Sequence, residues 1–307
     1  MNHNTLRAVP RITEITGGHG PLEKLLQEDL LYPVFQPIVN LETASIHAHE
    51  ALIRGPHGTS LHTPDSLLRA AADEHMGYEF ENACVRAALQ TWGQLKVPGR
   101  LFINISAGVL TQLMALRGRD AVLQLIHQLG VIPSLLVLEI TEHERVENMD
   151  HFAEVIAEVR TAGVSIALDD FGDGHSSLRL WSQIKPEVVK IDKYFTKNLN
   201  ENGDRLKTIQ ALQQIAAIFG SELVAEGIEN QEDLRVLRDL GITYGQGYFL
   251  GHPDRNPLKY LGPTPQRILR DRQVAFLPEV NPCNTGWSPS QPHLSTYLHQ
   301  PQHQPQA

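Results

Sequence analysis

Short apolar runs separated by longer amphipathic stretches set the rhythm of the chain. Strand-like runs fall at 33–39 (PVFQPIV), 45–54 (SIHAHEALIR), 101–105 (LFINI), 135–140 (LLVLEI), 164–169 (VSIALD), 187–191 (EVVKI), 222–226 (ELVAE) and 242–249 (ITYGQGYF). Between most of them lie apolar positions with a helical repeat, near 64–76, 79–95, 119–129, 150–161, 204–219 and 230–240. Thr63 is placed to cap the first of these, with Pro64 fitting its opening turn. Eight strands with helical crossovers predict an α/β fold, a (β/α)8 TIM-like barrel rather than an open sheet. One link breaks the rule. Only NLETA (40–44) separates the first two runs, too short for a parallel crossover, so the first strand is predicted antiparallel to the second.

Chemistry concentrates where the strands leave the core. In IALDDFGDGHSS (166–177) a buried run ends in two adjacent aspartates, Asp169 and Asp170, before a glycine-rich loop. Two like charges at a core edge need a proton, a basic side chain or a metal to neutralise them. The other strand ends carry Glu50, Asn104, Glu139, Lys190, Glu226 and Gln246. Each has an ordinary structural explanation alone: an ion pair, a turn former, a cap. Seven strands out of eight delivering a polar group to one rim do not. Five of these groups are carboxylates, oxygen ligands suited to Mg²⁺ or Mn²⁺. With a lysine beside them, two such ions suit in-line hydrolysis of a phosphodiester.

Composition limits what the substrate side looks like. The 307 residues carry 26 Lys and Arg against 35 Asp and Glu, a formal charge of −9, which argues against a surface that coats DNA or RNA. An anionic ligand therefore needs local cations. No apolar run approaches a membrane span, and the start lacks the layout of a signal peptide, so a cytoplasmic protein is expected. Cys84 and Cys283 are far apart and suggest neither a disulfide nor a zinc site. Residues 1–22 read as a lead-in, 23–258 as the domain and 259–307 as an extension. Beyond about 278 the extension turns rich in Pro, Gln, Ser and His and is expected to be disordered.

These residues resemble the EAL-domain cyclic di-GMP phosphodiesterases. EALIR (50–54), NIS (104–106), EITE (139–142), DDFGDGHSS (169–177), KID (190–192), AEGIE (225–229) and QGY (246–248) follow the motifs of that family in order, and FQPI (35–38) resembles its first-strand element. The resemblance implies a modified barrel with an antiparallel first strand and hydrolysis of cyclic di-GMP to linear pGpG. It implies a first metal held by Glu50, Asn104, Glu139 and Asp169, and a second served by Asp169, Asp170 and Glu226. Lys190 would position and help activate the attacking water, with Glu50 and Glu226 joining it in the catalytic set. Gln36, Leu52, Arg54 and Gln246 would contact substrate. Glu142, Asp192, Glu229, Gly172, Asp173 and Ser176 would support the site and the loop after the aspartate pair, which in the family reaches a dimer interface. A homodimer is accordingly expected. Asp173 and His175 depart from the commoner Thr and aromatic residues of that loop. Ca²⁺, larger and looser in coordination, is expected to inhibit. The alternative is a receptor or adaptor that binds cyclic di-GMP without cutting it. No sensor, cyclase or receiver segment is recognisable, so control is expected from expression, dimerisation or a docking partner.

Overall fold

A computed structural model describes residues 20–141, 148–172, 178–271 and 274–275. Eight strands close into a barrel in sequence order. They are β1 (Tyr32–Asn40), β2 (Ser45–Arg54), β3 (Arg100–Ser106), β4 (Leu136–Thr141), β5 (Ser165–Phe171), β6 (Val188–Ile191), β7 (Glu222–Ala225) and β8 (Tyr244–Gly245). All neighbours pair in parallel except β1, which is antiparallel to both β2 and β8. The short link explains it. Asn40 Oδ1 accepts from the amides of Glu42 (3.1 Å) and Thr43 (2.8 Å), and Ala44 sits at φ 54°, so the chain reverses within four residues.

Helices fill the remaining connections: α1 (Pro21–Gln27), α2 (Pro64–Asp73), α3 (Gly77–Leu95), α4 (Ala107–Arg117), α5 (Arg119–Gln128), α6 (Met149–Thr161), α7 (Leu178–Ile184), α8 (Lys193–Thr196), α9 (Gly203–Phe219), α10 (Gln231–Asp239) and α11 (Pro263–Arg270). Thr63 caps α2 as predicted, its side chain accepting from Ser66 N at 3.3 Å, and Asn148, Asn202 and Asn230 cap α6, α9 and α10 in the same way. α1, α4, α7, α8 and α11 have no counterpart among the helices that periodicity predicts. The predicted strand at 242–249 shortens to two residues, because the main chain turns just past Gln246, where the Gly247 carbonyl accepts from the amides of Leu250 and Gly251, both at 3.0 Å. No helix among the described residues is long and apolar enough to cross a membrane.

The core has two parts. The larger lies between the barrel wall and its helices, around Trp92, Phe152 and Trp181. The smaller fills the barrel itself with Ile38, Ala48, Phe102, Val137, Ala167, Val188, Val224 and Tyr244, one side chain from each strand. This layer is the floor on which the site stands.

Candidate active site

Side chains two residues apart on a strand face the same side. One step beyond each floor residue toward the C-terminal rim therefore points inward as well. From β2 to β8 that step gives Glu50, Asn104, Glu139, Asp169, Lys190, Glu226 and Gln246. β1 runs the other way, so its equivalent precedes Ile38: it is Gln36, paired with Glu50 across the ladder. All eight strands contribute a polar group to one ring, one more than the strand-end reading found. The missed signal was direction, since an antiparallel strand presents its inner residues to the rim in reverse order.

Lys190 occupies the centre. Its Nζ lies 3.1 Å from Glu50 Oε2, 3.0 Å from Glu139 Oε1, 3.0 Å from Asp169 Oδ1 and 2.7 Å from Glu226 Oε1. The side chain is 1% exposed, so burial pushes against its charge, but the four surrounding carboxylates prevail and hold its pKa well above the ordinary lysine value. Lys190 is an ammonium here. Four carboxylates against one ammonium leave a formal charge of −3 in a nearly dry ring. At an effective dielectric near 20 each close pair is worth about 4 kcal/mol, similar to the desolvation of a single ion, so one lysine cannot compensate four acids.

The acids respond differently to that imbalance. Burial would raise the pKa of Glu50, yet Lys190 and hydrogen bonds from Gln246 Nε2 (2.7 Å) and Asn104 Nδ2 (2.8 Å) hold it below the usual range. Glu139, fully buried, is raised well above its ordinary value by burial and by the neighbouring charge of Glu50. Glu226 is raised to about 8 by burial and then by Asp169, against the pull of Lys190.

Asp170 should face away from its neighbour, but a break in the β5–β6 register between Leu168 and Phe171 and a φ of 49° at Asp170 turn it toward the same rim. Asp169, Asp170 and Glu226 consequently offer oxygens within 4.8 Å of one another. Burial and the charge of Asp169 raise Asp170 to about 6. The donor set fits divalent cations: five carboxylates and an amide oxygen supply hard ligands, and Glu139 Oε2 is buried without a hydrogen-bond partner among the described residues. An added positive charge would relieve both conditions.

The outer residues separate into those near the ring and those away from it. Gln36 joins it, its Oε1 accepting from Gln246 Nε2 at 3.2 Å while its own amide donates to Gly251 O at 3.3 Å. Leu52 and Arg54 stand one and two steps above Glu50 on β2, both half-buried, and Arg54 Nη1 donates to Ile53 O at 2.8 Å. Asp192 caps α8 by accepting from Tyr194 N at 2.8 Å. Glu229 pairs with Lys197 at 2.9 Å in a half-exposed position. Gly172 sits at φ 112°, where an added Cβ would lie 2.2 Å from the Phe195 ring. Glu142, Asp173, His175 and Ser176 lie outside the described residues, as do 1–19 and 276–307. One brace was not anticipated: the Thr196 hydroxyl donates to the carbonyl of Glu226, tying α8 to a ring member, with Phe195 reaching Gly172 on the other side. A single threonine in a short helix carries no periodic signal.

Fold and site together define a TIM-like barrel with a reversed first strand and a carboxylate-rich C-terminal rim. Residues 20–253 match the EAL domain, and the chain belongs to the EAL-domain family. It is 32% identical over 242 residues to the cyclic di-GMP phosphodiesterase PdeB of Shewanella oneidensis, covering 76% of this chain and 27% of that protein. Its identity to the cyclic di-GMP phosphodiesterase NbdA of Pseudomonas aeruginosa is 29% over 237 residues, 76% of this chain and 30% of that one. The chain thus spans under a third of the length of these relatives. Among solved structures, Klebsiella pneumoniae BlrP1 in a calcium/cy-diGMP complex superposes with a TM-score of 0.67 at 27% identity, covering 76% of this chain and 58% of that one. A manganese/cy-diGMP complex of BlrP1 gives 0.66 at the same identity, with coverage of 76% and 57%.

Proposed function

We propose that this EAL domain hydrolyses cyclic di-GMP to linear pGpG and so lowers the level of that second messenger. The observation that carries the reading is the complete polar ring, with Lys190 as the single ammonium among Glu50, Glu139, Asp169 and Glu226. Two Mg²⁺ or Mn²⁺ ions would be held by Glu50, Asn104, Glu139 and Asp169 on one side and by Asp169, Asp170 and Glu226 on the other. When bound, they supply Lewis acidity at the phosphate and an acidified water.

The side chains have distinct tasks. Lys190, kept protonated by its neighbours, donates a hydrogen bond that orients the attacking water and offsets negative charge as it develops. Gln246, Asn104 and Lys190 fix both oxygens of Glu50, so its lone pairs stay aimed at the ring. Arg54 meets a phosphate, while Leu52 and Gln36 line the path of the nucleotide. Water oxygen forms a bond to phosphorus, the bond to one ribose 3′ oxygen breaks, and that oxygen leaves as a hydroxyl. A homodimer acting in the cytoplasm on this small molecule, and not on a nucleic-acid polymer or membrane, completes the proposal. Ca²⁺ would occupy the ligands without supporting turnover. Incubating purified protein with cyclic di-GMP and Mg²⁺, Mn²⁺ or Ca²⁺ tests it. Linear pGpG is expected with the first two alone, and unchanged substrate in all three would sink the proposal.

A further inference from the structure

The β1–β2 hairpin extends past the polar ring, and its inward face changes character row by row. Ile38 and Ala48 pair in the floor, and Gln36 pairs with Glu50 in the ring. Val34 opposite Leu52 makes an apolar shelf above them, and Tyr32 opposite Arg54 forms the last row. Gln36 lies four residue steps along the strand from Tyr32, a rise of about 13 Å. This outer row is therefore one nucleotide's reach above the carboxylates rather than part of the metal cluster.

A second cation joins that row from far along the sequence. The main chain of Asp254 pairs with Phe35 in both directions, at 2.8 and 3.2 Å, and fixes the 254–255 segment against β1. Arg255 then lies over the ring of Tyr32, its guanidinium carbon 3.7 Å from the ring centroid. The residue is exposed and has no ion pair or hydrogen bond among the described residues. In a chain with nine excess negative charges, an arginine held 3.7 Å from an aromatic centroid and without a counter-charge among the described residues is organised for an outside partner. With its carbon 3.7 Å from the centroid, the guanidinium is covered on one side by the ring, and its N–H groups remain to meet a ligand. Paired donors among those groups match the O6 and N7 acceptors of guanine, whereas adenine presents an amino donor in place of O6.

We propose that Arg255, oriented by Tyr32, reads a guanine base of the substrate and sets purine specificity at the mouth of the site. The assignment rests on the cyclic di-GMP reading above. Its test compares wild type, Arg255→Ala, Arg255→Lys, Tyr32→Phe and Tyr32→Leu, with cyclic di-GMP as substrate and cyclic di-AMP as competitor. Arg255→Ala raises KM for cyclic di-GMP about ten-fold with kcat within two-fold, and leaves the inhibition constant of cyclic di-AMP unchanged. Arg255→Lys behaves like alanine because a single ammonium cannot donate in the paired geometry. Tyr32→Phe keeps the stack and wild-type kinetics, while Tyr32→Leu shifts KM toward the arginine variants. An unchanged KM in Arg255→Ala, or equal weakening of both dinucleotides, overturns the assignment while the enzyme reading stands. A wild type that neither cuts nor binds cyclic di-GMP overturns both.

Discussion

Lys190 Nζ and Glu226 Oε1 lie 2.7 Å apart, the shortest of the four ion pairs that surround one buried ammonium. That contact joins β6 to the end of β7 and makes Lys190 the internal counter-ion for a ring of acids that otherwise repel. Removing it exposes how much of the ring's tolerance comes from the lysine and how much from added cations.

Lys190→Met should cost the metal-free protein about 3 kcal/mol, since unpaired buried carboxylates remain. Mn²⁺ should return most of that loss by neutralising the same acids. Urea unfolding with chelator and with Mn²⁺ reads both, and a deficit that stays equal under the two conditions would contradict the electrostatic account.

Gln246 stands one step behind Glu50, a proposed metal ligand. Its amide donates to Glu50 Oε2 at 2.7 Å and to Gln36 Oε1 at 3.2 Å. Gln246→Leu should leave the fold intact but weaken Mn²⁺ binding 10- to 100-fold, the usual consequence of losing a partner that orients a ligand. Titration calorimetry checks this, and unaltered affinity would show that Asn104 and Lys190 suffice to aim Glu50.

Gly172 combines a φ of 112° with a backbone pressed to the Phe195 ring. Gly172→Ala should destabilise the protein by about 1–3 kcal/mol and displace Asp170 two residues earlier. Because strain and clash have separate origins, Gly172→Ala with Phe195→Ala should regain only part of the stability. Full recovery in thermal unfolding would mean that the backbone angle carries no cost.

His49 contributes one part of the pH dependence of stability. It is 1% exposed, its Nε2 donates to Leu258 O at 2.9 Å, and its Nδ1 is buried without a partner among the described residues. Burial depresses its pKa to about 4, against 6.5 in the unfolded chain. The unfolded state takes up the proton first, so this contribution is complete above pH 6.5 and disappears as pH falls from 6.5 toward 4. About 3 kcal/mol is at stake, at 1.36 kcal/mol per pH unit. His49→Gln should flatten the acid limb of a stability–pH curve, and a slope identical to wild type would remove His49 as its source.

Much of this site was legible as strand ends, because a buried strand advertises its inner face through a two-residue step. The reversed first strand followed from five residues, 40–44. Other features had no such marker. Ala107–Arg117 is apolar on most sides and follows directly from β3, so the helix start is set by the Ser106 side chain accepting from Val109 N at 3.2 Å rather than by a periodic change. The sequence puts Asp170 at the strand end beside Asp169, but alternation alone would face it the other way, and a local break in register is what turns it to the rim. Arg255 reaches Tyr32 across more than two hundred residues through a main-chain bridge that carries no side-chain signature.

In the proposed function, the ring cuts cyclic di-GMP and Lys190 is indispensable to the step. Chromatographic separation of products from wild type, Lys190→Ala and Glu50→Ala, each with Mg²⁺ or Mn²⁺, addresses it most directly. Linear pGpG from the wild type, with at least a hundred-fold less from either variant, is the predicted result. Cyclic di-GMP that binds the wild type and is recovered intact under both metals would contradict it and leave a receptor in place of the enzyme.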